Sequence, residues 1–458
     1  MTTGATQRLI DSVAGLTPAR LPAAARTVAR HCVLDWFGAA LAGSREPLSA
    51  VLAQELLREG AGDQTLVGRA NRSTPLNAAL INGAASHALD FDDTHTRMSG
   101  HPSAPVVPAA LALAERDDRD GASFLTAVVA GIEVECRLGA MVNPGHYAAG
   151  FHATGTLGTF GAAAAAAHLM ALDAEQWRNA LGLAGSQAAG LKSAFGTMAK
   201  PLHAGRAASN GLLAALLAAG GFTGAPAVVE VAQGFASTHG AQRVDADSLD
   251  RLGDRFLIVD TLFKYHAACY LTHAAIEAAS RIRTEPGFSP GNVESVEILG
   301  SAGCVGVCDI SEPRTGLEGK FSLRAATAMA LLGVDTSDPA AFSDERMRDP
   351  QLVAMRDRVT FTPRPGIAPT RAGVTVRANG RRFDAEADTG KPATDLVAQW
   401  NSLSAKFFSL ATPVIGRERA TGLHQAIEQI EAVPSMRALA ALARTAETRP
   451  AHAAHGRE

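Results

Sequence analysis

Between Thr154 and Leu172 the chain carries no Asp, Glu, Lys or Arg, and between Gly211 and Val229 the same is true. A chain must surround such stretches with other helices or with lipid. Gly, Thr, His or Pro interrupt both, and neither has a Trp/Tyr belt or a basic flank. They read as buried core helices, some at a subunit contact, and not as membrane spans. Hydrophobic residues make up 47% of the chain, charged residues 19% and aromatics only 5%, so small side chains and close helix approach are expected to build the core. At 458 residues the chain exceeds one ordinary core, and two domains are expected.

Helical spacing of apolar residues dominates from Gln7 to about Asp260. Thr17 and Pro18 open one helix, and Val28–Ala42, Gly121–Ala140, Gly158–Ala171, Ala174–Gly190 and Ala207–Gly220 continue the pattern, with Asp173 as an N-cap. No strand is expected in this region. After Phe263 the character changes. Residues 293–299 and 358–362 have strand composition, and 374–387 form a hairpin whose Asn379-Gly380 turn needs positive φ at both positions. One helix, Leu323–Leu332, lies among these strands. Helical patterning returns after Thr394, and the polar tail after Arg449 is expected to be disordered. The predicted fold is mainly α with a smaller α+β lid: a large all-helical domain from both chain ends (1–262 and 393–458) and an inserted α+β domain (263–392).

A net charge of −3 provides no basic field for nucleic acid or an anionic membrane. Five scattered cysteines form no zinc pattern, and no signal peptide opens the chain, which fits a reducing cytoplasm.

Chemistry concentrates between residues 82 and 115, where His87, Asp90, Asp92, Asp93, Thr94, His95 and His101 stand between apolar helical segments. Carboxylates and imidazoles held partly out of water can be tuned for proton transfer. Asp92, Asp93 and His95 also suit plain helix-end capping and are left out of the candidate site. Four other segments stand out: GHYAAGFHATGT at 145–156, GTMAKPLHAGR at 196–206, FKYHAACYLTH at 263–273 and GKFSLR at 319–324. Pro201 biases Lys200 towards a loop. His203, His266 and His273 read as structural.

Taken in order with their spacing, NGAASHALDFDDTH, HPSAPVVPAALALAE, FHATGTLGTFGAA and GTMAKPLHAGRAASNG resemble the MmgE/PrpD family, over about residues 7 to 445. The family includes dehydration of 2-methylcitrate, decarboxylation of cis-aconitate and epimerisation of iminodisuccinate. The resemblance implies a helical domain made of both chain ends, an α+β lid, a homodimer, and catalysis with no metal or organic cofactor. It carries active-site status onto Asp90, Thr94, His101, His152 and Lys200, and onto Lys264 at the lid border. Two positions depart from the pattern: Cys269 stands where the decarboxylase has His, and Ala325 where dehydratase and decarboxylase have Tyr. MSGHPS and GHYAAGFH are more like the epimerase branch.

These residues suit α-proton chemistry on a small di- or tricarboxylate. Lys200, Lys264 and Arg206 can neutralise carboxylates and an enediolate, and His101 and His152 can carry protons near neutral pH. Asp90 can orient an imidazole or act as base, while Thr94 and Tyr147 are substrate-binding candidates. Dehydration is the first choice; epimerisation and decarboxylation are the alternatives. The rival from another class is a metal-dependent hydrolase using His87, Asp90, Asp92, Asp93 and His95; a non-catalytic scaffold would have no use for Lys200 and His152 beside the acids.

Overall fold

The computed structural model describes residues 4–240, 245, 247–249 and 255–445; the tail after Arg449 lies outside them. The chain is mainly helical with one smaller α+β part, as expected. In the first half, helices Ala23–Gly43, Pro75–His87, Ser103–Arg116, Gly121–Val142, Ala153–Leu169, Ala174–Gly185 and Ala199–Ala219 pack together. The uncharged Ala153–Leu169 helix is buried almost around its whole circumference. Asp173 caps its helix in a reciprocal pair with Gln176. Among the described residues no helix is long and apolar enough to cross a membrane.

Three local expectations are corrected. Thr17-Pro18 opens only the single 3-10 turn Pro18–Arg20, because Pro22 stops it and the helix begins at Ala23. A two-residue antiparallel pair, Gln64–Thr65 with Arg72–Ser73, does occur in the helical half; a period of two cannot be read from so few residues. Lys200 is not in a loop but in the first turn of Ala199–Ala219. Pro201 is tolerated there because first-turn N–H groups have no intrahelical acceptor to lose.

The α+β part holds a four-stranded sheet in the order Val359–Arg364, Val293–Ser301, Arg371–Ala378, Arg381–Asp388. The first pair is parallel and the other two antiparallel. Asn379 and Gly380 turn the hairpin at φ 52° and 68°, the left-handed pair such a turn requires. Leu323–Leu332 is helical as expected, but Tyr270–Arg283 is a further helix packed on the sheet. The crowd of His, Tyr and Cys at its start concealed that amphipathic pattern. A second apolar cluster forms here and takes in Leu89, Phe91 and Leu410 from outside it. After the α+β part, the helix Leu396–Ile415 packs back on Ala23–Gly43.

One contact sets the site. Gly83 and Gly205 face each other where Pro75–His87 meets Ala199–Ala219, and a Cβ on Gly205 would overlap the Leu80 carbonyl oxygen. Bare backbone at both positions lets the helices approach, which brings Lys200 to the end of the Pro75–His87 helix. The Gly211 face of the same helix packs on Thr159 and Ala162 of its own chain, so its lack of charge is already explained without a partner. Gly205→Ala is expected to destabilise the protein by about 1–3 kcal/mol through overpacking and to lower activity as Lys200 is displaced. Thermal melts with parallel rate measurements check it; unchanged stability would show that the contact is slack.

Candidate active site

The Pro75–His87 helix begins with Pro75 at its first position and Thr74 as N-cap. It ends at a sharp turn in which Asp90 adopts φ 51°. That left-handed conformation is unusual for a residue with a Cβ, though Asp tolerates it better than most. The turn is held from three directions. Lys320 Nζ donates to the Leu89 carbonyl at 2.7 Å, Lys264 Nζ to the Asp90 carbonyl at 2.7 Å and Lys406 Nζ to the Phe91 carbonyl at 2.6 Å. These lysines come from the α+β part, its border and the Leu396–Ile415 helix. Leu89 and Phe91 anchor the same turn through their side chains.

The Asp90 carboxylate is held by two ammonium groups, Lys200 Nζ at 2.6 Å and Lys264 Nζ at 3.1 Å. Burial alone would raise its pKa, but Lys200 and Lys264 hold it well below the usual carboxylate range. Lys200 also donates to His87 Nε2 at 2.8 Å. His87 Nδ1–H therefore points to Asp92, 2.8 Å away. The result is a continuous chain, Asp92–His87–Lys200–Asp90, in which His87 is neutral; burial lowers its pKa in the same direction. Lys200 is 4% exposed, so its ammonium is held out of bulk solvent.

His101 donates Nδ1–H to the Asp93 carbonyl at 2.7 Å, which leaves Nε2 as a free base 3.7 Å from Asp90 Oδ1. His152 caps the Ala153–Leu169 helix in extended conformation. Its ring stacks on His87 with centroids 5.7 Å apart, and its Nε2 is buried without a partner. Burial pushes both imidazoles well below the ordinary histidine range.

Asp90, His101, His152, Lys200 and Lys264 thus converge. Thr94 is half-buried beside them; it exchanges backbone bonds with Leu262 and donates Oγ1–H to the Gly100 carbonyl at 3.1 Å. Tyr147 borders the group: Lys192 Nζ sits 4.0 Å from its ring centre, and burial pushes its phenol up. Arg206 is exposed and joins none of these bonds, so it is not part of the cluster. Asp93 turns its side chain to Ser103, with burial raising it to about 7. His95 Nε2–H donates to the Leu257 carbonyl at 3.0 Å, and burial lowers the imidazole to about 4. Both side chains are thus engaged away from Asp90, and the Asp93 carbonyl orients His101.

His87, Asp92, Lys320 and Lys406 were not in the candidate set. His87 and Asp92 stood in the same dense segment and were separable only by geometry. Burial brings Lys320 down to about 8; its GKFSLR segment was visible without a role. Lys406 lies in an ordinary amphipathic helix and gave no signal. Cys269 is buried at the N-cap of Tyr270–Arg283, its N–H on the Lys320 carbonyl at 2.9 Å, and Ala325 is fully buried.

One ligand atom each from His87, Asp90, Asp92 and His101 lie within 4.8 Å of one another, a spacing that suits a divalent ion. The Lys200 ammonium, however, already bridges two of those residues, His87 and Asp90, and Lys264 faces the other oxygen of the same Asp90 carboxylate. An added divalent ion would meet two fixed positive charges a few ångströms away, so the donor set fits ammonium better than metal.

Residues 7–245 match the MmgE/PrpD N-terminal domain and residues 266–432 the MmgE/PrpD C-terminal domain. The cis-aconitate decarboxylase-like protein oryM of Aspergillus oryzae is 31% identical over 61% of this chain and 61% of its own length. Human cis-aconitate decarboxylase is 31% identical over 61% of this chain and 59% of its own, so the match spans about three fifths of either relative. The mouse cis-aconitate decarboxylase is 26% identical over 88% and 86%. With both domain types matched in order over most of its length, the chain belongs to the MmgE/PrpD family.

Proposed function

We propose that this protein is a lyase or isomerase that moves a proton at a carbon next to a carboxylate of a small di- or tricarboxylate. The observation that carries the reading is the buried Lys200–Asp90–Lys264 clamp beside neutral His101 and His152. Ammonium groups stabilise substrate carboxylates and a developing enediolate, and the two imidazoles supply separate proton carriers. Dehydration of the 2-methylcitrate type is the first activity to test. Decarboxylation of cis-aconitate is the second, because the relatives above carry that name. Epimerisation fits the same two carriers. Incubation with 2-methylcitrate, citrate, cis-aconitate and iminodisuccinate in D₂O, followed by NMR, separates these outcomes. Absence of turnover and of deuterium uptake with all of them would contradict the reading.

The enzyme is expected to be a cytoplasmic homodimer, and light scattering at micromolar concentration should report twice the chain mass; a monomer counts against it. Activity should survive EDTA, since the lysines supply the cationic charge. Loss with EDTA and recovery with Mn²⁺ or Zn²⁺ would promote the metal-dependent hydrolase instead.

A further inference from the structure

We propose that His203 is a relay residue that connects His152 to solvent and so keeps its inward nitrogen in proton exchange during turnover. The His152 and His203 Nδ1 atoms are 3.1 Å apart, hydrogen-bond distance for one shared proton. His152 is 2% exposed, and its Nε2, on the far edge of the ring, is buried with no partner. His203 is half-buried, on the third position of the first turn's run from Lys200. The pair therefore spans the wall of the site, with a free nitrogen inside and a partly open ring outside.

Two glycines make the seat. A side chain on Gly155 would press on His203, and one on Gly190 would come into contact with both His203 and His152. The Gly190 carbonyl accepts from His152 N–H at 3.0 Å, which fixes the His152 backbone relative to this seat. The charged and titratable neighbours of the pair are Lys200, His87 and His101, with Lys200 and His87 acting on both rings. All disfavour a second positive charge, and burial does so most of all. A proton accepted inside must then leave by transfer rather than by storage.

The transfer balances in protons alone. When His152 Nδ1–H donates to His203 Nδ1, His152 Nε2 is a base. It takes a proton from substrate carbon, Nδ1–H passes to His203 Nδ1, and His203 Nε2–H leaves to water or buffer. No electrons change owner, and each neutral ring ends in its other tautomer. In the reverse pass His152 Nε2–H returns a proton to substrate carbon, His203 Nδ1–H passes back to His152 Nδ1, and His203 Nε2 takes a proton from solvent, which restores both rings.

This rests on the proposed proton chemistry, so the test has two arms. In turnover, His203→Gln keeps a hydrogen-bonding amide beside His152 but cannot relay, and His203→Ala leaves a space. Both are expected to lose kcat at least about tenfold in dilute buffer with KM little changed. Added imidazole should restore His203→Ala. In the resting full-length protein, labelled at histidine nitrogens, NMR should show the His152 imidazole N–H exchanging with water at least about tenfold more slowly in His203→Gln. Unchanged exchange in that variant overturns the relay, whatever the turnover arm shows. Normal kcat without imidazole dependence does the same. If the wild type acts on no polycarboxylate yet the exchange slows in His203→Gln, the relay stands and the functional reading fails.

Discussion

Lys200→Met should lower kcat/KM by at least about a hundredfold, or roughly 2.7 kcal/mol of transition-state stabilisation. The residue is not a free cleft lysine, so a second effect comes with it. Removing the ammonium takes away one of two cations on the buried Asp90 carboxylate and the donor to His87 Nε2. Orphaning a buried charge costs about 3–5 kcal/mol. Here Lys264 still faces Asp90, and a loss of about 1–3 kcal/mol is expected. Calorimetry and steady-state rates well below the melting temperature separate the two. Lys200→Arg sharpens the test, because it keeps the charge but not the compact point geometry. It should recover part of the stability and little of the rate. A Met variant that stays active on the true substrate would show that Lys200 is structural.

His101→Asn is expected to reduce kcat by about 10²–10⁴-fold with a far smaller change in melting temperature. An Asn amide can still donate to the Asp93 carbonyl, as His101 Nδ1–H does, so the local fold keeps its bond. What disappears is the base at Nε2. Burial and the nearby Lys264 and His87 keep this imidazole neutral well below its ordinary pKa, against the pull of Asp92. The wild-type rate should therefore persist into mildly acid solution. Deuterium exchange into substrate, followed by NMR, reads the proton step directly. Exchange at the wild-type rate in His101→Asn would assign the base elsewhere, with His152 the next choice.

Much of this was legible before any coordinates, for physical reasons. Uncharged runs such as Ala153–Leu169 had to be interior helices, and the Asn379-Gly380 hairpin is a local matter of two positive φ angles. The gathering of Asp90, His101, His152 and Lys200 followed from family spacing. The errors have physical reasons as well. Pro201 has the same effect on its neighbour in a loop or a helix's first turn, so Lys200 was misplaced. Arg206 lies close to Lys200 in sequence, but helix rotation turns it outward. Lys406 reaches the turn from residues far away in the chain, and no local pattern encodes such a meeting. His203 looked like one more satisfied histidine until its ring edge met that of His152.

The three lysines on the Leu89, Asp90 and Phe91 carbonyls carry a consequence for how the enzyme comes into being. A nascent chain emerges from its N-terminus, so Asp90, His101, His152 and Lys200 are all made before Lys264, Lys320 and Lys406. A truncated product ending near residue 245 would possess four of the reactive groups and none of the outer clasps. Its Asp90 turn would lose the three lysine bonds that brace its left-handed backbone. On the proposed site, catalytic competence is expected only once the Leu396–Ile415 helix has docked. The same arrangement makes activity a sensitive report of complete synthesis, since a break between Lys264 and Lys406 should silence a site whose reactive side chains are all intact.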